Sequence, residues 1–209
     1  SSDVGGGYEI DSLADDVAQV METLDLRGAT LVGHSMGAAE AVRYLTRHGA
    51  GRVARLALLA PTTPCLFHAP DNPDGLPPEA FAAVRAAVAR DFPSWLGGAA
   101  SQGFLTPDAS PQLGDWIRQM MLRTSLQGAV ACNESFTAAD FRPELRRLTL
   151  PTLVIQGDAD VSTPLPLTGR KTAALIPGAR LEVYPGAPHG LIFTHAERVN
   201  RDLMAFARA

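Results

Sequence analysis

The chain has 209 residues, 46% of them hydrophobic and 19% charged, which suits one domain burying roughly 70% of its unfolded surface. A net charge of −4 with no run of like charge argues against a nucleic-acid or anionic-membrane partner, since both need a basic face. No apolar stretch reaches the ~18 residues of a membrane span, and the opening "SSDVGGGYEI" is neither basic nor apolar as a signal peptide would be.

Residues 1–8 are Gly-rich and read as loop. Ile10, Leu13, Val17, Val20, Met21 and Leu24 then recur at spacings of three and four, the pattern of an amphipathic helix, with Ser12 and Asp15 offering a capping box. A strand over Thr30–Gly33 and a helix over Ala38–Arg47 follow, the helix stopped by His48-Gly49. Arg52–Leu59 is rich enough in Leu and Ala to be a strand buried on both faces. Six prolines between Pro61 and Pro78 then exclude helix and central strand alike. Helical patterns come at about 79–91, 112–126 and 127–136, separated by "FPSWLGG" and "GFLTPDASP", and no strand pattern interrupts them. Strand and helix alternate again with Thr152–Gln156, a helix over about 165–175, Arg180–Tyr184 and a last helix from Ala196. The expected architecture is α/β with a parallel sheet. Its core comes from residues 1–60 and 148–209, and residues 61–147 form a helical insertion acting as a cap or lid.

The chemistry concentrates at strand ends. Gly33-His34-Ser35-Met36-Gly37 fits G-x-S-x-G with a strand before it and a helix after it. A sharp strand-to-helix turn lifts a serine Oγ out of the sheet, and a Cβ at either flanking glycine is expected to collide with that turn. The helix N-terminus leaves backbone N–H groups free for an oxyanion. A nucleophilic serine needs a base, and the base needs an orienting group. In an open α/β sheet such groups gather beyond the carboxyl ends of the strands. "TLVIQ" runs into Gly157-Asp158-Ala159-Asp160, and "RLEVY" is followed by Gly186-Ala187-Pro188-His189-Gly190. Asp160 and Asp158 compete for the acid role; reach towards His189 favours Asp160, and Asp158 suits a turn cap. His34, His48, His68 and His195 are placed less well than His189. Eight aromatics, Phe67, Phe81, Phe92, Trp95, Phe104, Trp116, Phe136 and Phe141, lie in or near the insertion, where a lid would set apolar groups over the serine. Cys65 and Cys132 lack metal-ligand spacing, and no dinucleotide or phosphate loop is present. No metal or cofactor is therefore expected, and two reduced cysteines suit a cytoplasmic protein.

In "LADDVAQVMETLDLRGATLVGHSMG", "APDNPDGLP", "PTLVIQGDAD" and "VYPGAPHGL" the chain resembles the cofactor-free bacterial non-haem haloperoxidases (chloroperoxidases). These form a perhydrolase and aryl-esterase branch of the α/β-hydrolase superfamily. The resemblance covers nearly the whole chain and implies the α/β-hydrolase fold, with Ser35 as nucleophile, Asp160 as orienting acid and His189 as base. It also implies the backbone N–H of Met36 as one oxyanion donor, and no haem, metal or flavin. The implied activity is ester hydrolysis through an acyl-enzyme, with peracid released when hydrogen peroxide accepts an acetyl group. Other α/β-hydrolase activities (lactonase, acyltransferase, C–C hydrolase) share the same machinery. Family members carry several dozen residues before the equivalent of Ser1, including strands and an "HG" loop that supplies a second oxyanion N–H. The strand at Thr30–Gly33 is therefore expected to have a free edge. That edge would pair with a second copy or a complementary fragment, or leave an impaired fragment that serves as a binding or assembly partner.

Overall fold

The computed structural model describes residues 5–98 and 103–209; residues 1–4 of the expected N-terminal loop and residues 99–102 lie outside them. The first half runs α1 (Ile10–Thr23), β1 (Ala29–His34), α2 (Met36–His48) and β2 (Val53–Leu59). Five helical segments follow: α3 (Pro78–Arg90), α4 (Phe92–Gly97), α5 (Pro111–Met121), α6 (Leu126–Thr137) and α7 (Arg142–Leu145). The chain then returns through β3 (Thr152–Gly157), α8 (Gly169–Leu175), β4 (Arg180–Tyr184), α9 (Leu191–Thr194) and α10 (Ala196–Arg208).

The four strands form one sheet in the order β1-β2-β3-β4, every neighbouring pair parallel. Parallel strands linked by crossover helices are covered on both faces, so their sequences are apolar throughout rather than alternating. Period-two pleating still sorts the side chains. Leu56, Leu58 and Val154 join Ile10, Ala14, Met21, Val42 and Leu45 in a core under α1 and α2. Ala57, Leu59, Leu153 and Ile155 face the opposite core with Leu191, Val199 and Phe206. Every residue of β3 is buried. At the other extreme β1 lies at the sheet edge, with no strand beyond it among the described residues, and Val32 is 45% exposed.

Some local expectations are corrected. Helix α1 starts two residues before Ser12, so Ser12 and Asp15 form no capping box; the Ser12 hydroxyl only reaches the Glu9 carboxylate at 3.5 Å. The Ile10 N–H, which has no acceptor within its own helix, donates instead to Ser135 Oγ at 2.8 Å, a cap supplied from α6 and invisible to local pattern. The helix expected over 112–126 stops at Met121, because Ser125 begins the next one by accepting the Gly128 N–H at 3.1 Å. "FPSWLG" is helical as α4, with the Asp91 carboxylate accepting the Ser94 N–H at 2.9 Å. The helix expected from 165 begins only at Gly169. Leu165 to Thr168 form a turn in which Thr168 Oγ1 donates to the Thr163 carbonyl at 3.0 Å.

A Ser135→Ala substitution removes the cap of α1 and should lower unfolding stability by about 1 kcal/mol. Ser12→Ala should change it by less than about 0.5 kcal/mol. Urea midpoints of the two variants compare them directly, and an equal or larger loss for Ser12→Ala would contradict the cap assignment.

Candidate active site

The turn from β1 into α2 places Ser35 at φ 56° and ψ −121°, a left-handed conformation for a residue with a side chain. The strain is held from both sides. The Ser35 N–H donates to the Leu59 carbonyl of β2 at 2.9 Å, and the Ser35 carbonyl accepts the Ala38 N–H at 3.1 Å. The two flanking glycines have different reasons. A Cβ on Gly33 would lie 2.7 Å from the Ala38 Cα and closer still to the Gly37 carbonyl, so only glycine lets strand and helix approach. A Cβ on Gly37 would meet nothing within 4 Å. The expectation that both glycines relieve the same crowding therefore fails for Gly37, which faces open space. Met36, the first residue of α2, has no intrahelical acceptor for its N–H.

The loop after β3 carries both candidate acids. Asp158 ties two loops together, since its carboxylate accepts the Gly186 N–H at 2.7 Å and its own N–H donates to the Tyr184 carbonyl at 3.2 Å. Asp160 is 4% exposed and turns inward. Its Oδ1 accepts the backbone N–H groups of Ser162 (2.9 Å) and Thr163 (2.8 Å), an Asx-type turn. Its Oδ2 accepts from Thr163 Oγ1 (2.8 Å) and Gln156 Nε2 (3.3 Å) and pairs with His189 Nδ1 (2.9 Å). Burial pushes the Asp160 carboxyl upward, but the hydrogen bond and charge of His189 and the bonds from Thr163 outweigh it, and its pKa falls below the ordinary value. A carboxyl depressed in the folded state stabilises the fold above its unfolded pKa, and that contribution is lost as pH falls through the folded value.

His189 is 6% exposed in the loop after β4, and its Nε2 lies 2.9 Å from Ser35 Oγ. The loop is clamped from two directions. His34 Nε2–H donates to the His189 carbonyl at 3.0 Å, and the Gly190 N–H donates to the Phe104 carbonyl at 2.8 Å. A Cβ on Gly190 would strike that carbonyl and lie 3.0 Å from the Phe104 ring, so this close approach also requires glycine. Burial and the neighbouring His189 lower the His34 pKa. His48 pairs with Asp15, His68 lies near the Pro73 carbonyl and His195 bonds Thr194, so these three take part elsewhere.

The structure thus brings Ser35, His189 and Asp160 into one hydrogen-bonded line, with Met36 at its serine end. Of the eight aromatics, Phe104 packs against the His189 ring at 5.8 Å between centroids. Trp116 reaches the same wall through Phe193, at 6.1 Å, and Phe193 in turn lies 6.4 Å from Phe104. Phe141 is core, Phe136 packs against that core, and Phe92 stacks on Trp95. The sequence reading missed Phe193, Gln156 and Thr163. An acidic residue three positions before a threonine was an available signal for Thr163, as an Asx turn folds such a hydroxyl back onto the carboxylate. The acid loop also contributes Val161 and Ser162 to a cavity of about 240 Å³ that neither Ser35 nor His189 lines. Among the described residues, no three His, Cys, Asp or Glu side chains converge as a metal set.

A parallel sheet whose strand ends deliver a strained serine, a carboxylate and a histidine in that chain order defines a class, the α/β hydrolases. A family model of the α/β hydrolase fold matches residues 1–196, and the chain belongs to that family. Within it, the chain is 38% identical to the non-heme chloroperoxidase CPO-A1 of Kitasatospora aureofaciens, over 99% of this chain and 77% of that protein. It is 35% identical to the bifunctional esterase/perhydrolase DCH of Acinetobacter calcoaceticus, over 100% of this chain and 78% of the relative. The crystal structure of a bromoperoxidase from Bacillus anthracis superposes with a TM-score of 0.95 at 31% identity, covering 100% of this chain and 78% of that one.

Gly33→Ala should destabilise the protein by about 1–3 kcal/mol or prevent folding, as overpacking does. Gly37→Ala should leave stability unchanged or raise it by up to about 1 kcal/mol, because the site is helical and open. Thermal unfolding of the pair decides whether the two glycines play different roles.

Proposed function

We propose that the protein is a serine hydrolase that transfers acyl groups from small esters, with Ser35 as nucleophile, His189 as general base and Asp160 as orienting acid. The observation that carries this reading is the hydrogen-bonded line itself: Ser35 Oγ to His189 Nε2 at 2.9 Å and His189 Nδ1 to Asp160 Oδ2 at 2.9 Å. In this mechanism Ser35 Oγ attacks the ester carbonyl carbon while His189 Nε2 takes its proton. Charge developing on the carbonyl oxygen is met by the Met36 N–H at the positive end of α2. Collapse expels the alcohol, which takes the proton from Nε2 and leaves acyl-Ser35. Water then attacks the acyl carbon, passing a proton through Nε2 back to Ser35, and the carboxylic acid departs. Hydrogen peroxide in place of water releases a peracid by the same proton transfers, and the peracid oxidises halide in solution. Every step balances with these side chains alone. The activities for which the relatives are named, chloroperoxidase and esterase/perhydrolase, support both acceptors.

In this reading residues 61–147 form the lid, and Phe104, Trp116 and Phe193 form the apolar wall beside the acyl carbon. The two free thiols, Cys65 and Cys132, support placing the protein in a reducing compartment such as the cytoplasm. We further propose that the outer edge of β1 receives another strand, from a second copy or a complementary segment. The partly exposed apolar Val32 on that edge supports this assignment.

Fluorophosphonate labelling and p-nitrophenyl acetate hydrolysis test the chemistry. Wild-type protein should label and turn over, and Ser35→Ala should lose labelling and at least about 10³-fold in kcat. Peracid should form from acetate and hydrogen peroxide in the wild type only. A wild-type protein that takes no label under conditions that label the esterase/perhydrolase relative would overturn the hydrolase reading. For the β1 edge, sedimentation at rising concentration should reveal association or a bound polypeptide, and a monodisperse lone monomer would refute it.

A further inference from the structure

The Thr163 hydroxyl occupies a place that the hydrolytic scheme does not use. It lies 2.8 Å from Asp160 Oδ2, 3.2 Å from His189 Nδ1, 3.2 Å from Gln156 Nε2 and 3.3 Å from the Ala60 carbonyl. Thr163 is 4% exposed, so its hydroxyl is shielded from bulk solvent. A hydroxyl has one proton and two lone pairs, which makes the distribution of bonds a closed problem. The Gln156 amide is oriented by its other end, because Gln156 Oε1 accepts the Gly169 N–H at 2.8 Å and the Thr168 hydroxyl at 3.2 Å. Nε2 therefore faces Thr163 as a donor, contacting both the Thr163 carbonyl and its hydroxyl oxygen. The Thr163 proton goes to the nearest and only charged acceptor, Asp160 Oδ2. A lone pair then faces His189 Nδ1, and that nitrogen must carry a proton to lie there without repulsion.

We propose that Thr163 is a positioning residue for the acid–base pair, one that shares Asp160 Oδ2 with His189 and thereby moderates the pull of the carboxylate on the imidazole. The inference rests on the hydrolase reading above. Its physical content is a competition between two effects. Donation to Oδ2 disperses the negative charge that would stabilise imidazolium. Acceptance from Nδ1–H stabilises imidazolium directly. The donated bond is the shorter at 2.8 Å and ends on a full charge, whereas the accepted one is a 3.2 Å branch already outcompeted by Oδ2 at 2.9 Å. Donation wins, so removing the hydroxyl should tighten the Asp160–His189 pair. The other titratable group against the imidazole is His34, with ring centroids 5.0 Å apart, where burial disfavours a second positive charge.

The test uses Thr163→Val, which keeps shape and β-branching, and Thr163→Ser, which keeps the hydroxyl. With Thr163→Val, the acidic limb of the kcat/KM profile for p-nitrophenyl acetate should move up by about half a pH unit or more. Below the limb this amounts to about a threefold loss. The His189 Nδ1–H proton resonance should move downfield, because its hydrogen bond concentrates on one acceptor; this readout needs no turnover. Thr163→Ser should match wild type in both measurements. A Thr163→Val protein with an unmoved limb and resonance overturns the proposal. So does a Thr163→Ser protein that behaves like the valine variant, since packing alone would then be at issue. If Thr163→Val does not fold, Thr163→Ala removes the same hydroxyl, and an unmoved limb and resonance in that variant overturn the proposal. Failure of the hydrolase reading is separable, because it appears as wild-type protein without Ser35-dependent labelling.

Discussion

The site depends first on a backbone conformation that its own residue disfavours. A side-chain-bearing residue at φ 56° costs about 1–3 kcal/mol, and it persists only where surrounding structure over-determines it. Here the over-determination comes from three places. The Leu59 carbonyl at the end of β2 takes the Ser35 N–H, the first turn of α2 takes its carbonyl, and the bare face of Gly33 lets the two elements close. The stability of the β1–β2 pairing and of the core beneath α2 is what holds Ser35 in this conformation.

The parallel sheet then does the assembly. Because β1, β2, β3 and β4 run the same way, their carboxyl ends finish on one side, and loops after β1, β3 and β4 meet there although their residues are far apart in sequence. Burying a carboxylate at such a junction is unfavourable unless its lone pairs are filled. Asp160 meets that condition with two backbone N–H groups on one oxygen and Thr163, Gln156 and His189 on the other. Charge stays on the carboxylate, and its orientation leaves one lone-pair direction for the imidazole.

The inserted helices are coupled to this centre through a narrow contact. Phe104 belongs to the segment between α4 and α5, yet its carbonyl holds the Gly190 N–H and its ring lies against His189. A shift of that segment is therefore transmitted to the histidine loop itself. The same contact explains a glycine after His189, where any side chain would push the Phe104 segment away from the loop.

Much of this was legible in the residue string. The order of strands and helices, the elbow around Ser35 and the candidates Asp160 and His189 follow from periodicity and from the placing of functional groups at strand ends, which are local or one-dimensional signals. The preference for Asp160 over Asp158 could be argued from reach, but Asp158 proved to tie the neighbouring loop at Gly186, a bond between residues 28 positions apart. Three features were out of reach because each depends on a partner from elsewhere in the chain. Ser135 caps α1 across 125 residues, Phe193 completes an aromatic wall begun by Phe104 and Trp116, and Gly37 differs from Gly33 only in what stands opposite. Sequence alone determined which residues could do chemistry and on which elements they lie, since backbone propensity and side-chain periodicity are properties of neighbours along the chain. Tertiary structure alone decided which of them touch and how each charge and hydroxyl is partnered, because hydrogen bonding and desolvation act between atoms that only folding brings within about 3 Å.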